Sequence, residues 1–235
     1  MMKNCEKAIG IIAAMQIEID GIKAQISDPE TVTVSGIDFV SGHINGRYVV
    51  CAKCGVGKVF AALCAQTMCL NFDLDCIINT GVAGGLADGL CVLDVVVADS
   101  VVQHDMDTSP IGDPVGLLSG INIVNIPTAT RVARVLSECV EQVGVKCVIG
   151  TVATGDQFVA TDAKRRYIKE TFNAAACEME GGAIGQVCYV NNVPFGIIRA
   201  ISDGGDGDAV LDYPTFATKA AENSVLAVLR FIEKF

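Results

Sequence analysis

The sequence predicts an α/β protein built on a mixed β-sheet, and three observations lead to that fold class. Short apolar runs rich in β-branched residues alternate along the chain with longer segments of helical period, which is typical of strands alternating with helices. The stretch Val32–Val50 alternates apolar with polar residues and contains Asn45-Gly46, a strong hairpin signal, so at least one strand pair is antiparallel. Because the chain has 235 residues, 51% of them hydrophobic, we expect residues 1–235 to form a single domain with a large core.

The elements follow from these patterns. The strands are apolar runs bounded by turn residues, and they are predicted at Ala8–Ala14, Thr31–Ile44, Arg47–Ala52, Cys76–Thr80, Val92–Ser100, Cys147–Ala153, Ala174–Glu178 and Pro194–Ile201. The helices are the longer segments of helical period, and they are predicted at Glu18–Ile26, Gly57–Phe72, Ala129–Gly144, Asp162–Phe172, Gly181–Asn191 and Tyr213–Phe235. The stretch His104–Pro127 is long and irregular, and such a loop in a compact domain is more often functional than idle.

Composition excludes several classes of function. The formal net charge of -10 argues against a nucleic-acid partner, since phosphate contacts require clustered Lys and Arg. Met1–Lys7 carries charges and no apolar core of a signal peptide, and no apolar run approaches the roughly 20 residues of a membrane span. We therefore expect a soluble, cytoplasmic protein that binds neither nucleic acid nor membrane.

The cysteines predict neither disulfides nor a metal site. The chain has 11 Cys, scattered through apolar runs, and they are interpreted as reduced core residues. Cys51 and Cys54 have the spacing of half a zinc or redox site, but no second pair completes four ligands. No metal and no cofactor is expected.

Two glycine-rich turns follow predicted strands, at Cys54–Lys58 and Asn79–Leu86. Such turns allow a ligand to approach the backbone, and α/β folds bind ligands at the carboxyl ends of their strands. Neither turn is a Walker A loop or a GxGxxG fingerprint. The alternative interpretation is that these glycines only form tight turns.

Acidic residues occur at three strand ends. Glu18 and Glu180 each lie at the start of a predicted helix, where a carboxylate is also favoured for purely structural reasons. Asp203 follows a fully apolar strand that contains Arg199, and a buried Arg requires an anionic partner. A structural Arg–carboxylate pair is the alternative explanation for Arg199, and it explains Asp203 less well.

Five motifs, in order and at their spacing, resemble one family. AAMQIE, NTGVAGG, TGDQF, CEMEGGAI and RAISD are similar to segments of the 5′-methylthioadenosine/S-adenosylhomocysteine nucleosidases of the purine nucleoside phosphorylase superfamily, and the resemblance extends from Ile9 to the C-terminal helix. It implies a three-layer sandwich with helices flanking the mixed sheet. It further implies hydrolytic release of adenine from 5′-methylthioadenosine, S-adenosylhomocysteine and also 5′-deoxyadenosine, in methionine salvage and the removal of a methyl-cycle by-product.

The resemblance assigns a role to each acid. Asp203 corresponds to the general acid that protonates N7 of adenine, because the base leaves poorly as an anion. Glu18 corresponds to the residue that activates the attacking water. Glu180 corresponds to the carboxylate that binds the ribose 2′- and 3′-hydroxyls. A donor acid has to keep its proton near neutral pH, and burial raises a carboxyl pKa.

Further substrate contacts are implied in the same way. Phe158 would stack on adenine, Val159 would bond the base edge through its backbone, Ser202 would orient Asp203, and Arg199 would organise the water and Glu18. Other implied binding positions are the turn residues Val82, Ala83 and Gly84, the apolar 5′ cleft of Met15, Val56, Met179 and Tyr213, and the loop residues Thr108 and Ile111. Family members are homodimers in which the neighbour's loop closes the 5′ cleft, so a homodimer is expected.

The sequence departs from the family at several of these positions. Val82 stands where Ser is frequent, Tyr213 where Phe is common, and Thr108 and Ile111 replace bulkier apolar residues. These departures concern the preference for the 5′ substituent and not the reaction class.

The sequence is less consistent with three other functions. A phosphorylase requires donors aimed at phosphate, whereas Asn79 and Val82 are uncharged and Glu18 would repel the anion, so hydrolysis is favoured. A non-catalytic nucleoside-binding module has no need for both Glu18 and Asp203. A nicotinamide-dependent oxidoreductase would carry a glycine fingerprint after its first strand, where Ala13-Ala14-Met15 stands instead.

Overall fold

The computed structural model describes residues 6–204 and 209–235. Within them the strands belong to one sheet, and they span Ala8–Ala13 (β1), Ser27–Val34 (β2), Ile37–Ile44 (β3), Arg47–Lys53 (β4), Leu74–Gly85 (β5), Val95–Gln103 (β6), Ile126–Pro127 (β7), Cys147–Thr154 (β8), Ala174–Glu178 (β9) and Phe195–Gly204 (β10). The α-helices are Asp20–Lys23 (α1), Lys58–Asn71 (α2), Thr130–Val143 (α3), Asp162–Phe172 (α4), Gly181–Asn191 (α5) and Ala209–Lys234 (α6).

The sheet is mixed, as predicted. Its order is β10-β6-β8-β9-β5-β1-β4-β3-β2, with β7 beside β6. β1 pairs in parallel with β4 and β5, whereas β2, β3 and β4 pair antiparallel. β5 also pairs in parallel with β10, so the strands β10, β6, β8, β9 and β5 form a closed circuit.

Helices cover both faces of the sheet, which confirms the three-layer prediction. Alternate residues of a strand point to opposite faces, and β1 shows this directly: Ile12 packs in the core shared with α2 and α5, whereas Ile11 packs in the core shared with α3 and α6. Such a strand is apolar at every position because both of its faces are buried. No helix of the described residues is long and apolar enough to cross a membrane.

Two predicted elements were wrong in their form. The predicted strand Thr31–Ile44 is two strands, β2 and β3, joined by Ser35-Gly36, whose φ angles of 54° and 75° make a tight turn within the alternating pattern. The predicted helix Glu18–Ile26 is a 3-10 turn, Gln16–Glu18, followed by the short α1. The carboxylate of Glu18 accepts from the backbone N–H groups of Ala14 and Met15, just before this turn, which favours the tighter geometry.

The remaining differences lie at the ends of elements. β5 continues five residues past its predicted end at Thr80, to Gly85, because its terminal half pairs with β10 and β9. The irregular stretch His104–Pro127 contains a 3-10 turn at Ser109–Ile111 and ends in β7. Gly205, the second of the two glycines that follow Asp203 in the sequence, lies outside the described residues.

Candidate active site

The ends of several strands surround one cavity. β1, β5, β9 and β10 end around it, which is where α/β sheets bind ligands. The cavity encloses about 580 Å³ with its open mouth, a size suited to a small molecule. It is lined by Ala14, Met15, Glu18, Val56, Val82, Ala83, Gly84, Gln157, Phe158, Val159, Cys177, Glu178, Met179, Glu180, Ser202, Asp203 and Tyr213.

The structure therefore brings together most of the residues predicted for the site. Three of the predicted residues do not line this cavity. Arg199 is buried behind it, with its guanidinium bound to Glu178 and Asn79. Thr108 and Ile111 lie in the loop after β6, where the Thr108 hydroxyl donates to Asp113 at 2.8 Å and Ile111 is 82% exposed.

Glu18 is fixed by the backbone around it. Its Oε2 accepts hydrogen bonds from the N–H groups of Ala14 (3.0 Å) and Met15 (2.8 Å), and its Oε1 accepts from the N–H of Val82 at 3.0 Å. Burial raises the pKa of this carboxyl, against the lowering effects of Arg199 and of these N–H donors. The β1 end and the β5 turn thus hold one carboxylate in a defined position at the cavity wall.

Gly81 is the point where Glu18 and Arg199 approach the β5 backbone. A Cβ atom at this position would lie 2.7 Å from Arg199 Nη1 and 2.8 Å from Glu18 Oε1, closer than side-chain carbons come to such atoms. The glycine of the NTGVAGG segment is therefore required by close approach, since both neighbouring groups are buried.

Glu178 organises this region, and sequence reasoning did not assign it to the site. Its carboxylate accepts from Arg199 Nε at 3.1 Å and also from Arg199 Nη2, and it accepts from the N–H groups of Glu180 (3.1 Å) and Gly181 (2.7 Å) at the start of α5. The Thr154 hydroxyl donates to its other oxygen. The acceptor that Arg199 requires is thus Glu178, which confirms a structural Arg–carboxylate pair for Arg199.

Glu180 is the residue directly before α5, and its side chain reaches the loop after β4. Its Oε1 accepts from the Gly57 N–H at 2.9 Å, and its Oε2 lies 3.9 Å from Arg199 Nη2. Burial, helped by repulsion from Glu178, raises the pKa of Glu180 from 4.5 to about 7, although Arg199 opposes the shift. This carboxyl is therefore partly protonated near neutral pH.

This pKa predicts a pH-dependent effect of Glu180→Gln on stability. A carboxyl whose pKa is raised on folding destabilises the fold as pH rises through the interval between the unfolded and folded values, here about 4.5 to 7. Gln stays neutral and retains an oxygen for the Gly57 N–H. We expect the melting temperatures of variant and wild type to agree near pH 4. At pH 8 the variant should melt higher, by about 2–4 °C for each kcal/mol by which the ionised carboxyl lowers the free energy of unfolding.

The control for this measurement is Glu170→Gln, because Glu170 is an exposed acid on α4. It should leave the melting temperature unchanged at both pH values. An effect of Glu180→Gln that is equal at pH 4 and pH 8 would contradict the raised pKa.

Asp203 lies at the end of β10 opposite the β5 turn. It is 3% exposed, and its Oδ1 accepts from the Ser202 hydroxyl at 2.7 Å. A Cβ on Gly84 would lie 3.1 Å from Asp203 Oδ2 and 3.4 Å from Cys177 Sγ, so the lack of a side chain at position 84 allows the acid to lie close to the β5 turn. Cys177 is a lining residue that sequence reasoning took only for a core position; burial raises its thiol pKa to about 12.

Apolar side chains form the rest of the wall. Phe158 is 51% exposed at the mouth, with its ring edge-to-face on Tyr213 at 5.6 Å between centroids. The Tyr213 hydroxyl donates to Met15 Sδ at 3.2 Å. A planar ring could stack on Phe158, and an apolar chain could extend towards Met15.

Comparison with known proteins agrees with this geometry. The family model of the phosphorylase superfamily matches residues 8–233. A 5′-methylthioadenosine/S-adenosylhomocysteine nucleosidase of Shewanella frigidimarina is 37% identical over 227 residues, covering 96% of this chain and 99% of that protein.

Two solved structures show the same fold. The nucleosidase of Neisseria meningitidis in complex with methylthio-immucillin-A has a TM-score of 0.92 at 30% identity, covering 97% of this chain and 100% of that one. The nucleosidase of Colwellia psychrerythraea in complex with adenine has a TM-score of 0.91 at 32% identity, covering 97% and 96%. This chain belongs to the phosphorylase superfamily and, within it, to the family of 5′-methylthioadenosine/S-adenosylhomocysteine nucleosidases.

Proposed function

We propose that this protein is a hydrolase of N-glycosyl bonds that releases adenine from 5′-methylthioadenosine, S-adenosylhomocysteine and 5′-deoxyadenosine. The observation that carries the proposal is that two buried carboxylates, Glu18 in the 3-10 turn after β1 and Asp203 on β10, line one largely apolar cavity. Family membership supports the same substrate class. The cytoplasmic location expected from the sequence stays a prediction.

In the proposed reaction the two acids act on opposite sides of one bond. Asp203 donates its proton to N7 of adenine as the bond from C1′ to the base breaks, and the bonding electrons remain with the neutral base. Glu18 accepts a proton from the water that adds to the oxocarbenium-like carbon. Glu180 binds the ribose hydroxyls, and Phe158 stacks on adenine.

Water, rather than phosphate, is the proposed nucleophile because the polar groups near Glu18 are already paired. Asn79 donates to the Ile12 carbonyl at 2.9 Å and accepts from Arg199, and Arg199 is bound to Glu178. Val82 offers only its backbone N–H, which Glu18 occupies. A phosphate dianion would therefore meet Glu18 rather than a free cation.

The substrate class is tested by incubating the protein separately with methylthioadenosine, S-adenosylhomocysteine, 5′-deoxyadenosine and inosine and measuring the free base by chromatography. We expect adenine from the three adenine nucleosides and little hypoxanthine from inosine, because Asp203 and the backbone of Val159 are proposed to recognise the adenine edge. Cleavage of inosine in preference to all three would overturn the proposed substrate class.

We further propose a homodimer in which the neighbour's Thr108 and Ile111 close the 5′ cleft. Neither residue lines the cavity of its own chain, and the outer surfaces of α2 and α5 are unusually apolar. Large side chains there that are more than a third exposed are Val59, Phe60, Leu63, Leu70, Tyr189 and Val190. An apolar face of this kind on a protein in water is typical of a subunit interface.

A charged substitution on this face tests the dimer. We expect Val59→Glu, at a residue 78% exposed, to lower the mass measured by light scattering from about twice 24.6 kDa to 24.6 kDa. It should also raise KM for methylthioadenosine more than it lowers kcat. Leu226→Glu on α6, at a residue 50% exposed, is the control and should leave the mass unchanged; a monomeric wild type would contradict the proposal.

A further inference from the structure

Arg165 is a buried cation that neither the motifs nor the proposed reaction accounts for. It lies on α4 and is 9% exposed, and its buried Nε and Nη2 atoms have no hydrogen-bond partner among the described residues. A buried guanidinium that lacks acceptors is costly unless an anion lies close by. The anion here is Asp203, whose Oδ2 is 3.5 Å from Arg165 Nη2.

In the part of the chain that the structure describes, Asp203 is the acid that forms an ion pair with Arg165. Near Arg165, the exposed Asp88 is paired with Lys169 at 2.5 Å, and Asp162 and Arg166 are exposed on α4. The Arg165 guanidinium also packs over the backbone of Gly204, where a Cβ would lie 3.3 Å from Nη2.

Other ionisable groups face Asp203 from the remaining elements around it. They are Cys177 on β9, Tyr213 on α6 and, along the same cavity, Glu18 and Glu180. None of these four side chains is a cation, and within the described part of the chain Arg165 is the cation that forms an ion pair with Asp203.

We propose that Arg165 is a positioning residue for the general acid. Its guanidinium faces Asp203 Oδ2 and stabilises the carboxylate that forms when the Asp203 proton moves to the base. The inference rests on the proposed function, in which the O–H bond of Asp203 breaks, the N7–H bond forms, and the electrons of the glycosidic bond pass to the base. Ser202 binds Oδ1 and Arg165 faces Oδ2, so the two oxygens are held by different groups.

The charge of Arg165 has two consequences that a packing role would not have. It favours the transition state, in which negative charge develops on Asp203. It also favours loss of the Asp203 proton in the resting enzyme. As pH rises, activity is therefore lost at a lower pH than it would be without the cation. The guanidinium therefore sets both the plateau rate, at pH values where Glu18 is ionised and Asp203 is protonated, and the position of the alkaline limb of the pH profile.

The test compares Arg165→Gln, Arg165→Lys and Arg166→Gln in pH profiles of kcat for adenine release. For Arg165→Gln we expect the plateau to fall about tenfold and the alkaline limb to move up by about one pH unit or more. Arg165→Lys keeps the positive charge and should leave the alkaline limb at its wild-type pH. Arg166→Gln removes an exposed charge from the next position of the same helix and should change neither quantity.

A structural role would be revealed by a different pattern. If Arg165→Gln lowered kcat by one factor at every pH and left the alkaline limb in place, the proposal would be overturned. A titration of the Asp203 carboxyl carbon by NMR keeps the test independent of turnover: its midpoint should rise by about one pH unit or more in Arg165→Gln. Should the wild type release no adenine at all, the proposed function would fail, whereas this titration would still report the coupling.

Discussion

Asp203→Asn is expected to release adenine from methylthioadenosine about 10²–10⁴-fold more slowly than wild type in a single-turnover assay, the range that general acid catalysis contributes. The reason is that adenine departs with its bonding electrons and requires a proton at N7, which an amide cannot supply. Asn has nearly the volume of Asp and can still accept from the Ser202 hydroxyl, which donates at 2.7 Å. Binding of a non-hydrolysable substrate analogue should therefore be retained.

The control for Asp203 is Asp162→Asn, at an exposed acid on α4, which should turn over like wild type. Release of adenine by Asp203→Asn at the wild-type rate would remove Asp203 from the role of acid. Loss of analogue binding would instead assign it to recognition.

Glu18→Gln is expected to bind substrate and to lose turnover by a similar factor, about 10²–10⁴-fold, because an amide cannot accept a proton from water. The pKa of Glu18 is raised by burial, and the carboxylate is the active form. Wild-type activity should therefore fall as pH falls through a value above that of a free glutamate. The measurement is the pH profile of kcat between pH 4 and pH 8.

The substitution also alters the hydrogen bonds that hold Glu18. Both of its oxygens accept from backbone N–H groups, so the amide nitrogen of Gln meets a donor, and melting temperature has to be measured beside turnover. Asp20→Asn, at an exposed acid two residues along, is the matched control. Normal cleavage by Glu18→Gln would require another base.

Sequence alone predicted most of the fold because burial on both faces leaves a clear pattern. β9, α4 and α5 begin and end as predicted, since glycine, asparagine or acidic residues mark their limits. The turn at Ser35-Gly36 was missed because apolar and polar residues alternate on both sides of it, so that the two strands resemble one. The 3-10 turn Gln16–Glu18 was missed because its geometry depends on a side chain binding backbone groups.

The candidate site was predictable where a residue belongs to a motif, and less so where its role depends on tertiary contacts. Glu178 is two residues before Glu180 in the sequence. Its ion pair with Arg199 forms only because β9 and β10 end at the same cavity. Two acids after a buried strand were the signal that could have found it. Arg165 was missed although it lies three and seven residues before Ile168 and Phe172, on the buried face of α4. The sequence does not show which acid a cation on that face meets.

The three acids of the candidate site have different surroundings. Glu18 is held by three backbone N–H groups, Glu180 has its pKa raised to about 7 by burial and Glu178, and Asp203 lies between a serine hydroxyl and Arg165. These surroundings, rather than residue type, support the separate roles proposed for them.

Hydrolysis is tested most directly by identifying the sugar product from methylthioadenosine with wild-type protein, in phosphate-free buffer and again with phosphate. We expect free methylthioribose in equal amount to adenine in both buffers, at the same rate. A sugar 1-phosphate, or adenine release that requires phosphate, would contradict it.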